Sequence, residues 1–329
     1  MKICLIFRKK DPVFFSIEKV FNTVIPFFKT RLEINEIAVP FYTNSILAVF
    51  KNIQFVKKQQ ADLYHVTGDT HYLTLGLPGK KTVLTIHDCS FMKQPAGIKR
   101  TFFHYLFLKW PVKRAAVITT ISEKSREEVI KYTGCAPEKI KVIPNPLDQR
   151  FSISEKSFNS HCPIILFIGS TPNKNLARVA EALKGINCIL DIVGKVDAGL
   201  QQIMIDNKIQ FRMCAGITDE QLIKKYIECD MVLFPSTYEG FGLPIIEAQQ
   251  TGRPVITSNI SPMKEVAGEG ACRVDPLSVQ SIRNAVEMII NDDVYRNAVI
   301  TSGKKNAERY KVEKIADMYA DVYRQLQAD

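Results

Sequence analysis

Two glutamates, Glu239 and Glu247, bracket a glycine-flanked turn in the stretch FPSTYEGFGLPIIEAQQTGRPVITSN from Phe234 to Asn259. An ionised carboxylate can accept hydrogen bonds from two hydroxyls, so such a pair suits the vicinal diols of a sugar or a ribose. Between them Gly240, Phe241, Gly242 and Leu243 lead into a helical pattern. Glycines let a ligand approach the backbone closely, and the amides and dipole of a helix start favour phosphate. The ligand chemistry this implies is a sugar joined to phosphate. Two unrelated surface glutamates would give the same spacing, and the helix start between them is what argues for one site.

Three further groups could take part. The run FIGSTPNKNL from Phe167 to Leu176 reads as a strand end, a turn at Gly169, and Asn173 and Lys174 ahead of a helix. A merely solvated lysine there is slightly disfavoured by the helix dipole, so Lys174 reads as a cation for phosphate. His87-Asp88 follows an apolar strand directly, which puts His87 at the ligand-binding edge of a sheet; Asp88 orients a neighbour or caps a turn. The segment Lys99 to Arg114, KRTFFHYLFLKWPVKR, has basic ends around aromatic residues that include Trp110. It fits the surface of an anionic bilayer, and equally an ordinary helix with aromatics facing the core. No helix-turn-helix, zinc-finger or RNP-type motif accompanies it, so nucleic acid is not an expected partner.

The elements that must position these groups alternate. Strands are expected at Lys2–Phe7, Ile34–Val39, Leu63–Val66, Thr82–Ile86 and Val117–Ile121, with helices at Phe14–Thr30 and Asn44–Gln60 and one capped by Ser122. The polar run from Pro144 through His161 reads as a linker. The pattern then restarts with strands at Ile164–Ile168, Cys188–Val193, Ile209–Met213, Met231–Phe234 and Val255–Thr257, and a short one at Cys272–Val274. Helices are expected at Asn175–Leu183, Asp219–Cys229 and Leu243–Thr251, then three more to the end. Apolar strands alternating with helices specify parallel sheets with helices on both faces. Two doubly wound domains result: 1–150, 151–309, and a last helix at 310–329 packing back on the first.

Composition sets the outer bounds. With 329 residues and 46% hydrophobic residues, two ordinary cores can be built. The eight cysteines form no CxxC pair, so neither a zinc site nor a disulfide framework is expected. The first apolar run, Ile3 to Phe7, is too short for a signal peptide or a membrane span. Residues 1–150 carry 24 Lys and Arg against 12 Asp and Glu, and the remainder carries 20 against 22. A basic first half suits nucleic acid, an anionic membrane surface or an anionic small substrate, and composition alone does not choose among them.

Taken together these residues resemble family 4 of the retaining glycosyltransferases. Glu239 to Glu247 matches the family's E-x7-E signature, Phe167 to Leu176 its glycine turn and KN element, and Thr85 to Asp88 its TIHD strand end. Ser122 to Asp148 and Asn259 to Pro276 resemble two further segments, so the likeness runs nearly the full length. The family's fold is GT-B, two Rossmann-like domains facing one another across a cleft. The resemblance implies transfer of a sugar, with retention, from a UDP- or GDP-sugar donor to a saccharide or lipid-linked acceptor in cell-surface polysaccharide assembly. It assigns Glu239 to hydroxyls of the donor sugar, Glu247 to the ribose, Lys174 to the diphosphate, the amides of Gly240 to Leu243 to sugar and phosphate, and His87 to the sugar from the acceptor domain.

Two departures stand out. Where members often carry a second phosphate cation, this chain has Ser170 to Asn173, which leaves Lys174 alone or helped by Arg8, Lys9 or Lys10. The usual glycine-rich first loop is replaced by Arg8 to Ser16, although Ser16 begins a matching helix and offers its amide. No cofactor and no metal are expected, since no Asp-x-Asp follows a strand. The expected location is cytoplasmic, at the inner face of the membrane where the basic domain touches anionic lipid. Other readings are an epimerase or hydrolase of the same fold, or a non-catalytic nucleotide-sugar-binding protein. A dehydrogenase is disfavoured, because no GxGxxG follows either first strand.

Overall fold

A computed structural model describes residues 1–10, 16–93 and 97–328. It divides into two compact units, one of Met1–Pro146 together with the segment from Val312 onward, the other of Leu147–Lys311. In the first unit β1 (Lys2–Phe7), β2 (Glu33–Ala38), β3 (Leu63–Val66), β4 (Thr82–Ile86), β5 (Val117–Thr120) and β6 (Ile140–Val142) form one parallel sheet. The strand order is β2-β1-β3-β4-β5-β6. β1, β3 and β4 are buried along nearly their whole length because both faces of a parallel sheet are covered. One face is covered by α1 (Ser16–Lys29), whose Phe21, Val24 and Phe28 are buried against the sheet and against Ile315, Tyr319 and Tyr323 of the chain's last helix. The other face carries α2 (Ile46–Lys57), a 3₁₀ segment at His71–Gly76, and α3 (Ile98–His104), which runs through a π-helical turn, Tyr105–Lys109, into α4 (Trp110–Arg114) and is followed by α5 (Glu123–Thr133). Ser122 caps α5 by accepting the Ser125 amide, and Gly134 closes it in the left-handed region.

The second unit repeats the plan with β7 (Ile164–Ile168), α6 (Leu176–Leu183), β8 (Ile189–Val193), α7 (Ala198–Asp206), β9 (Gln210–Cys214), α8 (Asp219–Glu228) and β10 (Met231–Phe234). After these come α9 (Leu243–Thr251), β11 (Val255–Ser258), α10 (Met263–Ala267), β12 (Cys272–Val274), α11 (Val279–Asn291) and α12 (Asp293–Ala307). The last helix, α13 (Val312–Ala328), belongs to the first unit. The strand order β12-β11-β10-β7-β8-β9 is entirely parallel. Counted from β7, this is the doubly wound order whose direction reverses between the first and fourth strands, here β7 and β10. Loops leaving the carboxyl ends of those two strands diverge to make a crevice, and such crevices bind ligands.

The boundary between the two units falls at Pro146 and Leu147, inside the polar run from Pro144 through His161 expected as a linker, but the run beyond it is not loose. It is fastened along the second unit. The Leu147 amide bonds to the Tyr310 carbonyl at 2.7 Å and that of Ser154 to Thr251 at 3.3 Å. Buried Asp230 accepts the amides of Asn159 and Ile164 and pairs with Lys156. β6, α7 and α10 are short and without a sustained period, so no sequence pattern marks them. Among the described residues no helix is long and apolar enough to cross a membrane.

Candidate active site

The loops after β7 and β10 are stitched together by side chains. Asn173 donates from Nδ2 to the Tyr238 carbonyl at 2.9 Å and to Glu239 Oε1 at 3.4 Å, while its own carbonyl accepts the Thr237 amide at 2.8 Å. Asn175, at φ 71°, buries its amide and donates to the carbonyls of Pro235 at 3.1 Å and Pro276 at 2.6 Å. Asparagine is one of the few residues that adopts this left-handed conformation at little cost. It therefore ends the 3₁₀ turn Pro172–Lys174, starts α6, and ties the ends of three strands. Arg178, one helical turn on, donates to Asn175 Oδ1 at 2.9 Å.

Within this frame Lys174 Nζ lies 2.6 Å from Glu239 Oε1 and 4.6 Å from the ring centroid of Phe234. Both charged groups are mostly covered, so their attraction is stronger than that of a surface pair. Gly169, at φ 93°, sits directly under the lysine; a Cβ there would come within 2.8 Å of Lys174 Cε. The glycine turn thus gives the lysine stem its room. On the β10 side, Gly242 at φ 118° precedes α9 and accepts the Ile245 amide at 3.0 Å. Pro244 has no N–H, which leaves Leu243 as the first-turn amide for a ligand. Phe241 is buried edge-on against Tyr310, so it offers only its backbone.

Glu247 is placed differently from the other carboxylate. It is 6% exposed, packed within α9, and Tyr226 of α8 donates to its Oε2 at 2.6 Å. Burial next to this carboxylate pushes the Tyr226 phenol well above its ordinary pKa. The spacing of the two glutamates did not reveal this, because α9 is buried on nearly all sides and its residues show no polar face.

His87 stands in the first unit, at the carboxyl end of β4. Its Nε2 donates to the Thr67 carbonyl at 2.9 Å, which leaves Nδ1 as an acceptor. Burial lowers its pKa, with the Thr67 bond opposing, so the ring is neutral. Gly68 packs on it so closely that a Cβ would meet His87 Cδ2 at 2.7 Å. The ring lines a hollow of about 290 Å³ with Asp69, His71, Asp88, Phe103 and Phe107. Asp88 caps the following turn through the Ser90 amide at 2.7 Å. Arg8 is held by Glu18 at 2.8 Å and by Asp69, two carboxylates that compete with any phosphate for it. Lys9 lies over the Tyr42 ring. Residues 11–15 of the first loop lie outside the described residues, and Ser16 is described only as the first residue of α1. Among the described residues no three His, Cys, Asp or Glu side chains gather as a group that could hold a metal.

These two parallel-sheet units, the second with its strand order reversing between β7 and β10, define a GT-B glycosyltransferase fold. The chain belongs to the group 1 glycosyltransferases: residues 148–306 match the model described as Glycosyl transferases group 1, and residues 29–151 match that of Glycosyltransferase Family 4. It is 26% identical over 287 residues to O-antigen chain mannosyltransferase B of Escherichia coli, covering 80% of this chain and 74% of that one. It is 30% identical over 232 residues to the O-antigen chain mannosyltransferase RfbU of Salmonella typhimurium, covering 67% and 63%. Among solved structures, sucrose-phosphate synthase of Thermosynechococcus elongatus superposes with a TM-score of 0.81 at 17% identity over 99% of both chains. Anabaena HepE, solved with UDP and glucose, gives 0.78 at 18% identity over 99% of this chain and 100% of that one.

Proposed function

We propose that this chain transfers a hexosyl group, with retention, from a UDP- or GDP-sugar to a saccharide or lipid-linked saccharide during cell-surface polysaccharide assembly. The observation that carries the proposal is the Lys174–Glu239 pair inside the stitched loops of β7 and β10. The O-antigen mannosyltransferase relatives favour mannose as the sugar and a bacterial surface polysaccharide as the destination.

In this reading the donor diphosphate draws the Lys174 ammonium from Glu239, and the freed carboxylate accepts hydroxyls of the donor sugar. Leu243 and the glycine amides before it bind sugar or phosphate oxygens. The acceptor oxygen attacks the anomeric carbon from the face on which the diphosphate leaves. The bond from that carbon to phosphate oxygen breaks, the bond to acceptor oxygen forms, and the acceptor's proton passes to the departing phosphate oxygen. No protein base is required. Catalysis then consists of stabilising charge as it develops on diphosphate, by a fixed cation and preorganised amides. Lys174 does what a divalent ion does elsewhere, so the reaction is metal-independent. His87 accepts a sugar hydroxyl through Nδ1, and Glu247 supports the ribose end of the site. The enzyme works in the cytoplasm at the inner face of the membrane.

The test is a thermal-shift screen of UDP- and GDP-sugars, since a ligand bound by the folded state alone raises stability. The stabilising donor is then incubated with saccharide and lipid-linked acceptors, with and without EDTA. A glycosylated acceptor with the donor's anomeric configuration is expected in both cases. Donor that is only isomerised or hydrolysed overturns the assignment.

A further inference from the structure

The hollow beside His87 differs in character from the unit that holds it. Residues 1–150 are basic overall, with 24 Lys and Arg against 12 Asp and Glu, yet among the described residues no lysine or arginine lines this hollow. Its charged and ring groups are the carboxylates of Asp69 and Asp88 and the imidazoles of His71 and His87, and its apolar walls are Phe91, Phe103 and Phe107. Arg8 pairs with Asp69 but is shared with Glu18, so acids outnumber cations around the space.

His71 is set here by a specific local arrangement. After β3 the chain turns through Gly68 at φ 148° and Asp69 at φ 51°, a left-handed conformation that aspartate tolerates better than most residues, and the 3₁₀ segment begins at His71. Backbone held in such a conformation outside glycine gathers at ligand sites. The His71 ring reaches the neighbouring helical run, where Nδ1 donates to the Phe107 carbonyl at 2.7 Å. That oxygen lies in the π-helical turn Tyr105–Lys109, and Pro111, four positions on, has no N–H to give it the ordinary helical bond. Burial lowers the His71 pKa against the pull of the Phe107 bond, so the ring is neutral and its Nε2 is an acceptor. His87 has the opposite tautomer, with Nε2 donating and Nδ1 accepting. The two imidazoles and the two carboxylates all present acceptors.

A ligand matched to this lining brings hydroxyl donors, an apolar face for the aromatic walls, and no negative charge of its own. A pyranose ring does so, with hydroxyls around its rim and C–H bonds on its faces. Phe103 and Phe107, with ring centroids 5.0 Å apart, form one corner for such a face. A volume of about 290 Å³ lies at the small end of ligand pockets and suits one ring rather than a chain. A uronate or a sugar phosphate would set its charge against Asp69 and Asp88 with no lining cation to offset it, an arrangement that selects by repulsion.

We propose that this hollow takes one uncharged hexopyranose ring of the acceptor, with His71 Nε2 accepting one of its hydroxyls, and that the acids beside it reject acidic and phosphorylated sugars. The inference rests on the transferase reading and narrows it: the sugar that is extended is neutral, and His71 is a specificity-determining residue.

Saturation-transfer NMR on the full chain, alone and with UDP or GDP present, compares methyl mannoside, glucoside and galactoside with methyl glucuronide and mannose 6-phosphate. At least one neutral hexoside should bind, and both acidic sugars should bind on the order of tenfold more weakly or worse. Two variants separate the contact from the fold. An asparagine amide falls near the place of Nδ1 and a glutamine carbonyl near that of Nε2. His71→Asn thus keeps the Phe107 bond and loses the acceptor for the ligand, whereas His71→Gln does the reverse. His71→Asn should weaken hexoside binding on the order of tenfold with an unfolding midpoint near the parent's. His71→Gln should keep most of the affinity and unfold earlier. The reverse order would make His71 a structural residue and overturn the proposal, as would acidic sugars binding as well as neutral ones, or no binding of any hexoside. Hexoside binding in the expected order without sugar transfer supports the hollow's role and counts against the proposed reaction. Transfer to an acidic sugar at a rate that His71→Asn leaves unchanged supports the reaction and overturns the hollow's role.

Discussion

The ammonium of Lys174 and a carboxylate oxygen of Glu239 meet at 2.6 Å although 65 positions separate them in the chain. They come from the two loops at which the strand order of the second sheet reverses, and each offsets the charge of the other. In the proposed reading such a pair carries little net charge until a diphosphate draws the lysine away. The neutral pair also lowers the cost of keeping a cation mostly out of water.

Lys174→Ala should therefore lower kcat/KM by about 100- to 1,000-fold, the effect of removing one fixed group that stabilises developing charge. Glu239→Gln keeps a hydrogen-bond acceptor but loses the charge that orients the lysine, and should cost less. Steady-state kinetics with the donor found by thermal shift checks both. Near-parent turnover by Lys174→Ala would sink the site assignment.

Gly169→Ala separates geometry from charge. It leaves the lysine in the sequence but puts a methyl group 2.8 Å from Lys174 Cε, on a residue at φ 93°. A conformation this unfavourable for alanine costs about 1–3 kcal/mol. Denaturant unfolding should show that loss, and activity should fall alongside it as the lysine is pushed off Glu239. An active, fully stable Gly169→Ala protein would show that the lysine's position does not matter.

Glu247 invites a test in two parts, because its carboxylate both accepts the Tyr226 hydroxyl and is proposed to support the ribose. Glu247→Ala leaves a buried phenol without its acceptor, at a cost of about 1–3 kcal/mol. Tyr226→Phe removes the same hydrogen bond and nothing from the ligand side. If Glu247 serves the donor, KM rises in Glu247→Ala and stays near the parent value in Tyr226→Phe, while both proteins lose stability. Equal KM values in the two variants would make Glu247 a structural residue.

How much of this was legible beforehand depended on where the information lay. Strands such as KICLIF at β1 and MVLF at β10 are apolar throughout because both of their faces are covered, and a run of that kind is visible in one dimension. Lys174 and Glu239 were visible too, since each follows a strand and precedes a helix, where turn chemistry marks the place. Glu247 was not. Its partner Tyr226 sits on another helix, and no local pattern says which way a carboxylate turns when the helix carrying it is buried all round. The polar run after Pro146 was legible only as the boundary between the units: its hydrophilic side chains fit a tether, but Lys156 and the amides of Asn159 and Ile164 are spoken for by Asp230, 66 or more residues ahead.

The first unit should also carry an acid-sensitive stability. His65 is wholly buried between Tyr323 of α13, at 2.6 Å from Nδ1, and Thr85 of β4, at 2.7 Å from Nε2. Burial lowers its pKa from 6.5 to about 3, with the nearby His87 adding to the effect. Burial lowers His71 and His87 as well. A histidine with a depressed pKa stays neutral in the fold but protonates in the unfolded chain. The stability it contributes is complete above pH 6.5 and is lost as the pH falls from there toward about 3. His65 alone contributes a slope of up to about 1.4 kcal/mol per pH unit in that window. Denaturant unfolding at pH 7.5 and at pH 5.5, each read as a midpoint, should show a clear loss at the lower value. His65→Gln, which can keep one hydrogen bond but cannot take the proton, should lose stability at pH 7.5 and show a shallower fall. An identical pH slope in the variant would mean that His65 is accessible to protons in the folded state.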